Sequence, residues 1–210
     1  MKLTIFGATG LSGKILTKQA LDEGYEVTAY ARNPSKIDFS HPNLKVVNGE
    51  LNNIEAIKKA MEGADVVISL LGPPGRVKGC LVAEGIANIV KAMKEKNIDR
   101  LIATATPSAS DPNDSFDLKF RLAVMMIRLL MGDAYSDIVK TAGIIRESGL
   151  NWTIVRLPFL NNKPKTGKVN AGYTGKGVVN FTLSRSDLVD FLLAQVNGKE
   201  FLHKAPAISN

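Results

Sequence analysis

Three glycines spaced three apart, Gly7, Gly10 and Gly13, lie within Phe6-Gly-Ala-Thr-Gly-Leu-Ser-Gly13. The chemistry open to such a stretch is anion binding by backbone amides. A short apolar run, Lys2 to Phe6, predicts a buried strand before it, and an amphipathic segment, Lys14 to Gly24, predicts a helix after it. Strand, glycine turn and helix start form the context of a dinucleotide-binding turn. Gly7 permits the tight turn, Gly10 lets backbone approach a pyrophosphate, and Gly13 lets the helix pack on its strand. The free amides and positive dipole end of the first helical turn then face the phosphates, and Leu11 of the glycine turn is a further cofactor contact. Thr9 and Ser12 can add hydroxyl hydrogen bonds. The spacing is GxxGxxG and not the commoner GxGxxG, so its meaning rests on the strand–turn–helix context; a glycine-rich turn without a ligand is the plain alternative.

The second predicted strand, Glu26 to Ala31, ends at Arg32-Asn-Pro-Ser-Lys36. An NAD-selective site places an acid at about this point, roughly 20 residues beyond the glycines, against the ribose 2′-hydroxyl. Here the residue is Arg32. A guanidinium suits a 2′-phosphate through forked, charge-assisted hydrogen bonds and can stack on adenine. Asn33 and Ser35 add neutral hydrogen bonds and Lys36 adds charge, so the expected cofactor is NADPH.

Four further strand ends carry candidate contacts, because ligands of open α/β sheets sit beyond the carboxyl ends of the strands. After the third strand, Leu44 to Asn48, Glu50 can accept from the adenine amine and Leu51 can pack on the ring. Glu50 can equally cap the helix Asn53 to Met61, for which Asn52 is the expected N-cap. After the fourth strand, Asp65 to Leu70, the turn Leu71-Gly-Pro-Pro-Gly75 is expected along the cofactor. Leu71, Gly72 and Pro73 are its contacts there, with the prolines stiffening the loop. After the fifth strand, Arg100 to Ala105, the hydroxyls of Thr104 and Thr106 are expected near the nicotinamide. Thr106 is the first candidate for catalytic contact and Ser108 the second, though Thr, Ser and Pro are also ordinary turn chemistry. After the sixth strand, Asn151 to Leu157, Pro158 and Phe159 stand at the substrate end.

Lys140 is a further catalytic candidate, on a helix predicted from Tyr135 to Ser148 and ended by Gly149. Many short-chain dehydrogenases use Tyr-x-x-x-Lys there, but Tyr135 and Lys140 are five apart, and helix neighbours differ by three or four. The dyad is absent in its usual form, and a solvated lysine is the plain alternative. No histidine proton donor is expected, since His41 and His203 are the only two histidines and both lie away from the predicted site. No metal site is expected.

These residues need an alternating α/β framework to position them. The near-continuous apolar strands predict a parallel sheet covered on both faces. The fold class expected is a Rossmann-like, doubly wound sheet in one domain, residues 1–210, with the substrate side built mainly from 106–135 and 157–183. A helix from Leu81 to Lys96 should bury Val82, Ile86, Ile89, Val90 and Met93. Phe116 to Met131, with Ser115 as expected cap, is apolar on most of its circumference and should therefore be core. A partner helix, or an adaptable methionine-rich wall for a flat substrate, is the other reading. Asn161 to Val179 is long for a structureless connection and suggests a lid or binding loop. Ser186 starts a last helix, and Glu200 to Ala205 is expected as a closing edge strand.

Composition excludes several classes. Cys80 is the single cysteine, so no intrachain disulfide forms, in keeping with a reducing cytosol. Met1 leads directly into a strand, leaving no room for a signal peptide, and a cytoplasmic location is expected. Leu122 to Met131 is interrupted by Arg128 and too short to span a bilayer, so no membrane partner is expected. The net charge of +7 is spread along the chain without a basic helix or aromatic interleaving. Nucleic acid is therefore not an expected partner, while a polyphosphate cofactor also needs positive potential.

With these motifs assembled, the chain resembles the atypical short-chain dehydrogenases/reductases with NmrA-like, NAD(P)-binding domains, and most of all the flavin reductase/biliverdin-IXβ reductase type. The resemblance rests on the glycine turn, Ala31-Arg-Asn-Pro-Ser-Lys36, Gly49-Glu-Leu51 and Leu70-Leu-Gly72. It continues through Arg146-Glu-Ser-Gly-Leu150, Trp152-Thr-Ile-Val-Arg-Leu-Pro158, Lys163-Pro-Lys-Thr-Gly167 and Ser186-Asp-Leu188. It implies NADPH held by the glycine turn, Arg32, the Gly72 turn and Thr104 to Thr106, with Thr106 as counterpart of a serine in those reductases. A histidine often follows the proline of the sixth strand, whereas this chain has Phe159, which argues against biliverdin specifically. The expected function is hydride transfer from NADPH to a flat, conjugated acceptor such as a flavin or quinone, by a monomer or weak homodimer. The alternative is a non-catalytic NADP(H)-binding redox regulator with a protein partner. A sugar-nucleotide epimerase is a weaker third reading.

Overall fold

The computed structural model describes residues 1–73, 79–177 and 179–210. Its centre is an eight-stranded sheet of order β3-β2-β1-β4-β5-β6-β10-β8. The strands are β1 (Lys2–Phe6), β2 (Glu26–Ala31), β3 (Leu44–Asn48), β4 (Val66–Ser69), β5 (Arg100–Ala105), β6 (Asn151–Arg156), β8 (Asn170–Gly172) and β10 (Ala207–Ser209). All neighbours are parallel except β8, which runs antiparallel to β10. A separate parallel pair joins β7 (Phe159–Asn161) to β9 (Thr182–Ser184). The helices are α1 (Leu11–Asp22), α2 (Ile54–Ala60), α3 (Leu81–Glu95), α4 (Leu118–Leu130), α5 (Gly132–Arg146) and α6 (Arg185–Asn197).

Side chains alternate across the sheet. In β5, Leu101 and Ala103 pack with α2, α3 and α5, while Ile102 packs with α1 and α6. In β6, Trp152 and Ile154 take the first face and Val155 the second. Two apolar layers therefore cover one sheet, as the unbroken apolar strands require. Val82, Ile86, Ile89, Val90 and Met93 of α3 are all buried. Strand order reverses at β1 and β4, which makes their carboxyl ends the crevice where such folds bind ligands.

Several boundaries differ from expectation. Helix α1 begins at Leu11 and not Lys14, because the chain turns helical directly from Gly10. The α2 cap is Asn53, whose side chain accepts from the Ala56 amide, and neither Asn52 nor Glu50. Asp117, not Ser115, caps α4 through the amides of Lys119 and Phe120. Ser184 caps α6. The closing strand is Ala207–Ser209 and not Glu200 to Ala205: β10 sits between β6 and β8, so pairing on both sides selects it.

The largest correction concerns α4. It packs its Phe120, Ala123, Val124 and Ile127 side inward, and of its residues only Phe120 is buried. Leu118, Leu122, Met125, Met126, Leu129 and Leu130 are exposed. Apolar composition alone does not bury a helix; a neighbouring face must exist, and among the described residues α4 has one on one side only. Among the described residues, no helix is long and apolar enough to cross a membrane.

Candidate functional site

The glycine turn is built by contact as well as by conformation. Gly7 has φ +85, and a Cβ there would lie 3.0 Å from the Leu70 carbonyl carbon, so the turns after β1 and β4 touch. A Cβ on Gly13 would lie 2.1 Å from the Gly7 carbonyl oxygen. Any side chain at Gly13 would lift α1 off the turn. Gly10 donates to the Gly7 carbonyl at 3.1 Å and enters α1 with no side-chain cap and no acid in the first turn. Amides left free at a helix start are anion ligands.

These turns border a run of cavities along the carboxyl ends of the strands. The first, about 410 Å³, is lined by Gly7, Thr9, Gly10, Arg32, Glu50, Leu51, Leu71 and Gly72, with Asn52 and the α3 residues Leu81, Val82, Glu84, Gly85 and Asn88. The second, about 240 Å³, shares Leu71 and Gly72 and adds Pro73, Thr104, Thr106, Ile138, Thr141, Pro158 and Leu160. The third, about 140 Å³, shares Thr106 and Pro158 and is walled by Phe120, Phe159 and Phe181. Phe120 and Phe181 are stacked, with ring centroids 4.4 Å apart. An outer cavity of about 570 Å³ continues from Phe120 along α4 and includes Ser108, Arg121, Met125, Arg128 and Tyr135.

The lining of the first cavity could hold a dinucleotide's adenosine and phosphate end. Arg32 lines it, is exposed, and has no carboxylate within ion-pair distance among the described residues. Gly72 lines it too, and a Cβ there would meet nothing within 4 Å among the described residues, so the backbone borders space that a side chain would fill. Leu51 is held beside this space. The Asn88 side chain donates to its carbonyl at 2.9 Å, and Gly85 leaves it room, since a Cβ on Gly85 would come within 2.8 Å of the Leu51 side chain. Tyr30 donates to the Glu50 carbonyl at 2.8 Å. Burial first, and the Glu50 charge second, push this phenol up to about 12, so it stays protonated and structural.

Most predicted residues meet here, but several do not. Leu11, Ser12 and Gly13 line none of these cavities; Gly13 acts through packing, and the other two open α1. Asn33 and Ser35 are turned to each other, the Asn33 side-chain Oδ1 accepting from both the Ser35 amide and its hydroxyl at 3.2 and 2.6 Å. Pro74 and Gly75 of the predicted turn lie outside the described residues. Lys140 is exposed and lines no described cavity. Ile138 and Thr141 are the α5 residues that do, and Lys140 projects about half a helical turn from Ile138, which corrects its placement as a catalytic candidate. Thr106 stands where the second and third cavities join, its hydroxyl accepting from the Ser108 amide at 3.3 Å. Of the predicted lid, Asn161 to Val179, Thr174 is the only described residue that lines one of the four cavities, the outer one, and Asn170–Gly172 form β8. The segment before β8 is drawn to α6 by Asp187, which accepts from the Thr166 and Gly167 amides.

Sequence reasoning missed three groups. Thr141 is buried with a hydroxyl that has no partner among the described residues, beside Thr104 and Thr106. Asp137 of α5 accepts from the Val82 and Ala83 amides and so caps α3 from another helix. Arg156, fully buried on β6, makes two bonds to Asp114, at 2.6 and 2.7 Å, and one to the Ala205 carbonyl. Asp114 also accepts from the Thr174 amide. This clamp ties the loop before α4 and the turn at 174 to the sheet. The glutamate and asparagine of α3 at Glu84 and Asn88 were legible as an i, i+4 pair, whereas the long-range partners carry no local signal.

Comparison with known proteins gives the family and the fold. A family model described as NAD(P)H-binding matches residues 7–199. A 2-alkyl-3-oxoalkanoate reductase of Shewanella oneidensis is 32% identical over 112 residues, covering 50% of this chain and 28% of that protein. A photosystem II assembly factor of Cyanophora paradoxa is 27% identical over 169 residues, covering 75% of this chain and 45% of that protein. The chain thus spans less than half the length of these two curated relatives. In fold it is similar to a short-chain dehydrogenase/reductase of Veillonella parvula solved in complex with NADP, with TM-score 0.80, 24% identity, and coverage of 100% of this chain and 94% of that one. An oxidoreductase of Lactococcus lactis gives TM-score 0.81 at 22% identity, covering 100% and 91%.

Proposed function

This chain belongs to the NAD(P)H-binding family, and on that premise we propose that it is an NADPH-dependent reductase acting on a flat, conjugated acceptor such as a flavin or quinone. The observation that carries the reading is the chemistry of the second and third cavities. Their described lining residues are apolar, glycine, proline or threonine, without one acid, base, tyrosine or histidine. A ketone needs a proton delivered at its oxygen; a flavin or quinone can take that proton from water. The cofactor supplies a hydride, two electrons with one proton, and the acceptor completes its reduction with a proton from solvent.

The residues of the chain bind and orient. In this reading the α1 amides and Thr9 hold the phosphates, Arg32 the 2′-phosphate, Leu51 and Glu50 the adenine, and Thr104 with Thr106 the nicotinamide end. Pro158, Phe159, Phe120 and Phe181 form the wall on which a planar acceptor lies, with the substrate side drawn from 106–135 and 157–183. The test is NADPH oxidation with FMN, a short-chain quinone and no acceptor in parallel. Saturable, acceptor-dependent oxidation is the expected result, and none above the no-acceptor rate would overturn the proposal.

Arg32 makes a narrower prediction. Arg32→Ala removes a charge-assisted bond, worth roughly 1.5–3 kcal/mol, that only NADPH can accept. NADPH affinity should therefore fall about ten- to a hundredfold while NADH affinity changes little. Equal losses for both, in a fluorescence titration, would remove the 2′-phosphate role.

The exposed face of α4 favours a second reading, a non-catalytic regulator that reports cofactor redox state to a protein partner. A ligand shifts an equilibrium only by differential affinity, so equal affinity for NADP⁺ and NADPH would count against it.

A further inference from the structure

We propose that the outer face of α4 docks on an anionic lipid bilayer, and that the third cavity behind it takes its acceptor from that bilayer. The acceptor half of this statement rests on the reductase reading; the docking half stands without it. The observation is a helix with two opposed apolar sides. Phe120, Ala123, Val124 and Ile127 face inward and line the third cavity. Leu118, Leu122, Met125 and Leu129 follow one another at spacings of four, three and four on the opposite side, and all are exposed, Leu129 at 70%. Residues at such spacings share one helix face. Leu118, Leu122 and Met125 also border the outer cavity, while Leu129 lines none of the four.

Charge chooses the occupant. Lys119 stands on one flank of the stripe and Arg121 and Arg128 on the other, all exposed. The arginines lie against the rings of Phe116 and Tyr135, at 5.3 and 5.8 Å. None of the three cations has a carboxylate within ion-pair distance among the described residues. From Leu118 to Gly132 there is no aspartate or glutamate, and the chain carries a net charge of +7. An apolar stripe edged by long cations is the pattern of an interfacial helix, whose apolar side chains sink to the acyl boundary while the cations reach anionic headgroups. A second copy of the same face would set cation against cation. Lying on a bilayer requires no spanning helix. With α4 in the headgroup layer, its inner side and the cavity of Phe120, Phe159 and Phe181 stand one helix away from the lipid, where a flat apolar acceptor dissolves.

The experiment is co-sedimentation of the full chain with vesicles of phosphatidylglycerol and phosphatidylcholine, against pure phosphatidylcholine, at low and high salt. Leu129→Glu and Lys119→Glu are the variants, since neither residue lines a described cavity. Solution mass and NADPH oxidation with a short-chain, water-soluble quinone are followed alongside. The expected result is binding to anionic vesicles that falls about tenfold in neutral lipid or high salt and about tenfold in Leu129→Glu, the scale of exposing one buried leucine. Soluble-quinone oxidation by Leu129→Glu should be unchanged. Wild-type protein that stays in the supernatant, or Leu129→Glu that sediments equally, overturns docking. A dimer that Leu129→Glu splits, without vesicle binding, assigns the face to a second copy. Vesicle binding without NADPH oxidation by any acceptor removes the reductase reading and leaves the docking face intact.

Discussion

Gly13→Ala is expected to abolish useful NADPH binding while also destabilising the fold. The added Cβ would lie 2.1 Å from the Gly7 carbonyl oxygen and 2.8 Å from the Ala8 Cα, both backbone atoms that cannot swing aside. Helix α1 must then move away from the turn, carrying the amides of Leu11 and Ser12 with it. Overpacking of this kind costs about 3 kcal/mol, on the order of a hundredfold in affinity if it falls on the bound state. Helix propensity alone gives the opposite sign, since alanine is favoured over glycine by about 1 kcal/mol in a helix interior. Gly143→Ala is the control. It lies within α5, a Cβ there meets nothing within 4 Å among the described residues, and the variant should be slightly stabilised with cofactor affinity unchanged. Thermal melts and NADPH titrations of both variants decide the matter; a Gly13→Ala protein that binds NADPH like wild type would remove the turn from the cofactor site.

Asp114→Ala should bring the largest loss of stability. Arg156 is fully buried, and its guanidinium would be left with the Ala205 carbonyl as its only described partner. Removing one member of a buried pair costs about 3–5 kcal/mol, and each kcal/mol moves the melting temperature of a chain this size by about 2–4 °C. The Thr174 amide loses its acceptor as well, so the loop before α4 should loosen and acceptor turnover fall with stability. Replacing both partners by apolar residues, Asp114→Leu with Arg156→Met, should recover much of the loss. A double variant no more stable than Asp114→Ala would refute the ion-pair account.

The same pair sets an acid limit. Burial pushes the Asp114 carboxyl up, but the hydrogen bond and charge of Arg156, with the backbone and Thr174 bonds, outweigh it and hold the group below the usual carboxylate range. A carboxyl whose folded value lies below its unfolded value of about 3.9 contributes its full stability above that value. The contribution disappears as pH falls through the lower folded value. Wild type should therefore lose stability more steeply below about pH 4 than Asp114→Asn does. Parallel stability curves for the two proteins would show that Asp114 is not the titrating group.

The notions of one parallel sheet, a cofactor at its switch point and a 2′-phosphate at Arg32 all come from local pattern. Strands β1, β2 and β5 start and stop where the apolar runs do, because a strand buried on both faces admits few polar residues. The glycine turn is legible for a similar reason: tight turns and close backbone approach leave few residue types available.

Other features are invisible to any local window. Asp137 caps a helix 55 residues away, and Asp114 meets Arg156 across 42. Lys140 and Thr141 are adjacent in sequence, yet only Thr141 lines a cavity, because the phase of α5 against its neighbours is set by packing and not by its own residues. Helix α4 makes the same point at larger scale. Its sequence by itself determines an apolar helix; whether that surface is core, acceptor wall or docking face depends on what stands opposite each side. Only the assembled fold decides that, since burial is a property of two surfaces and a sequence window contains one.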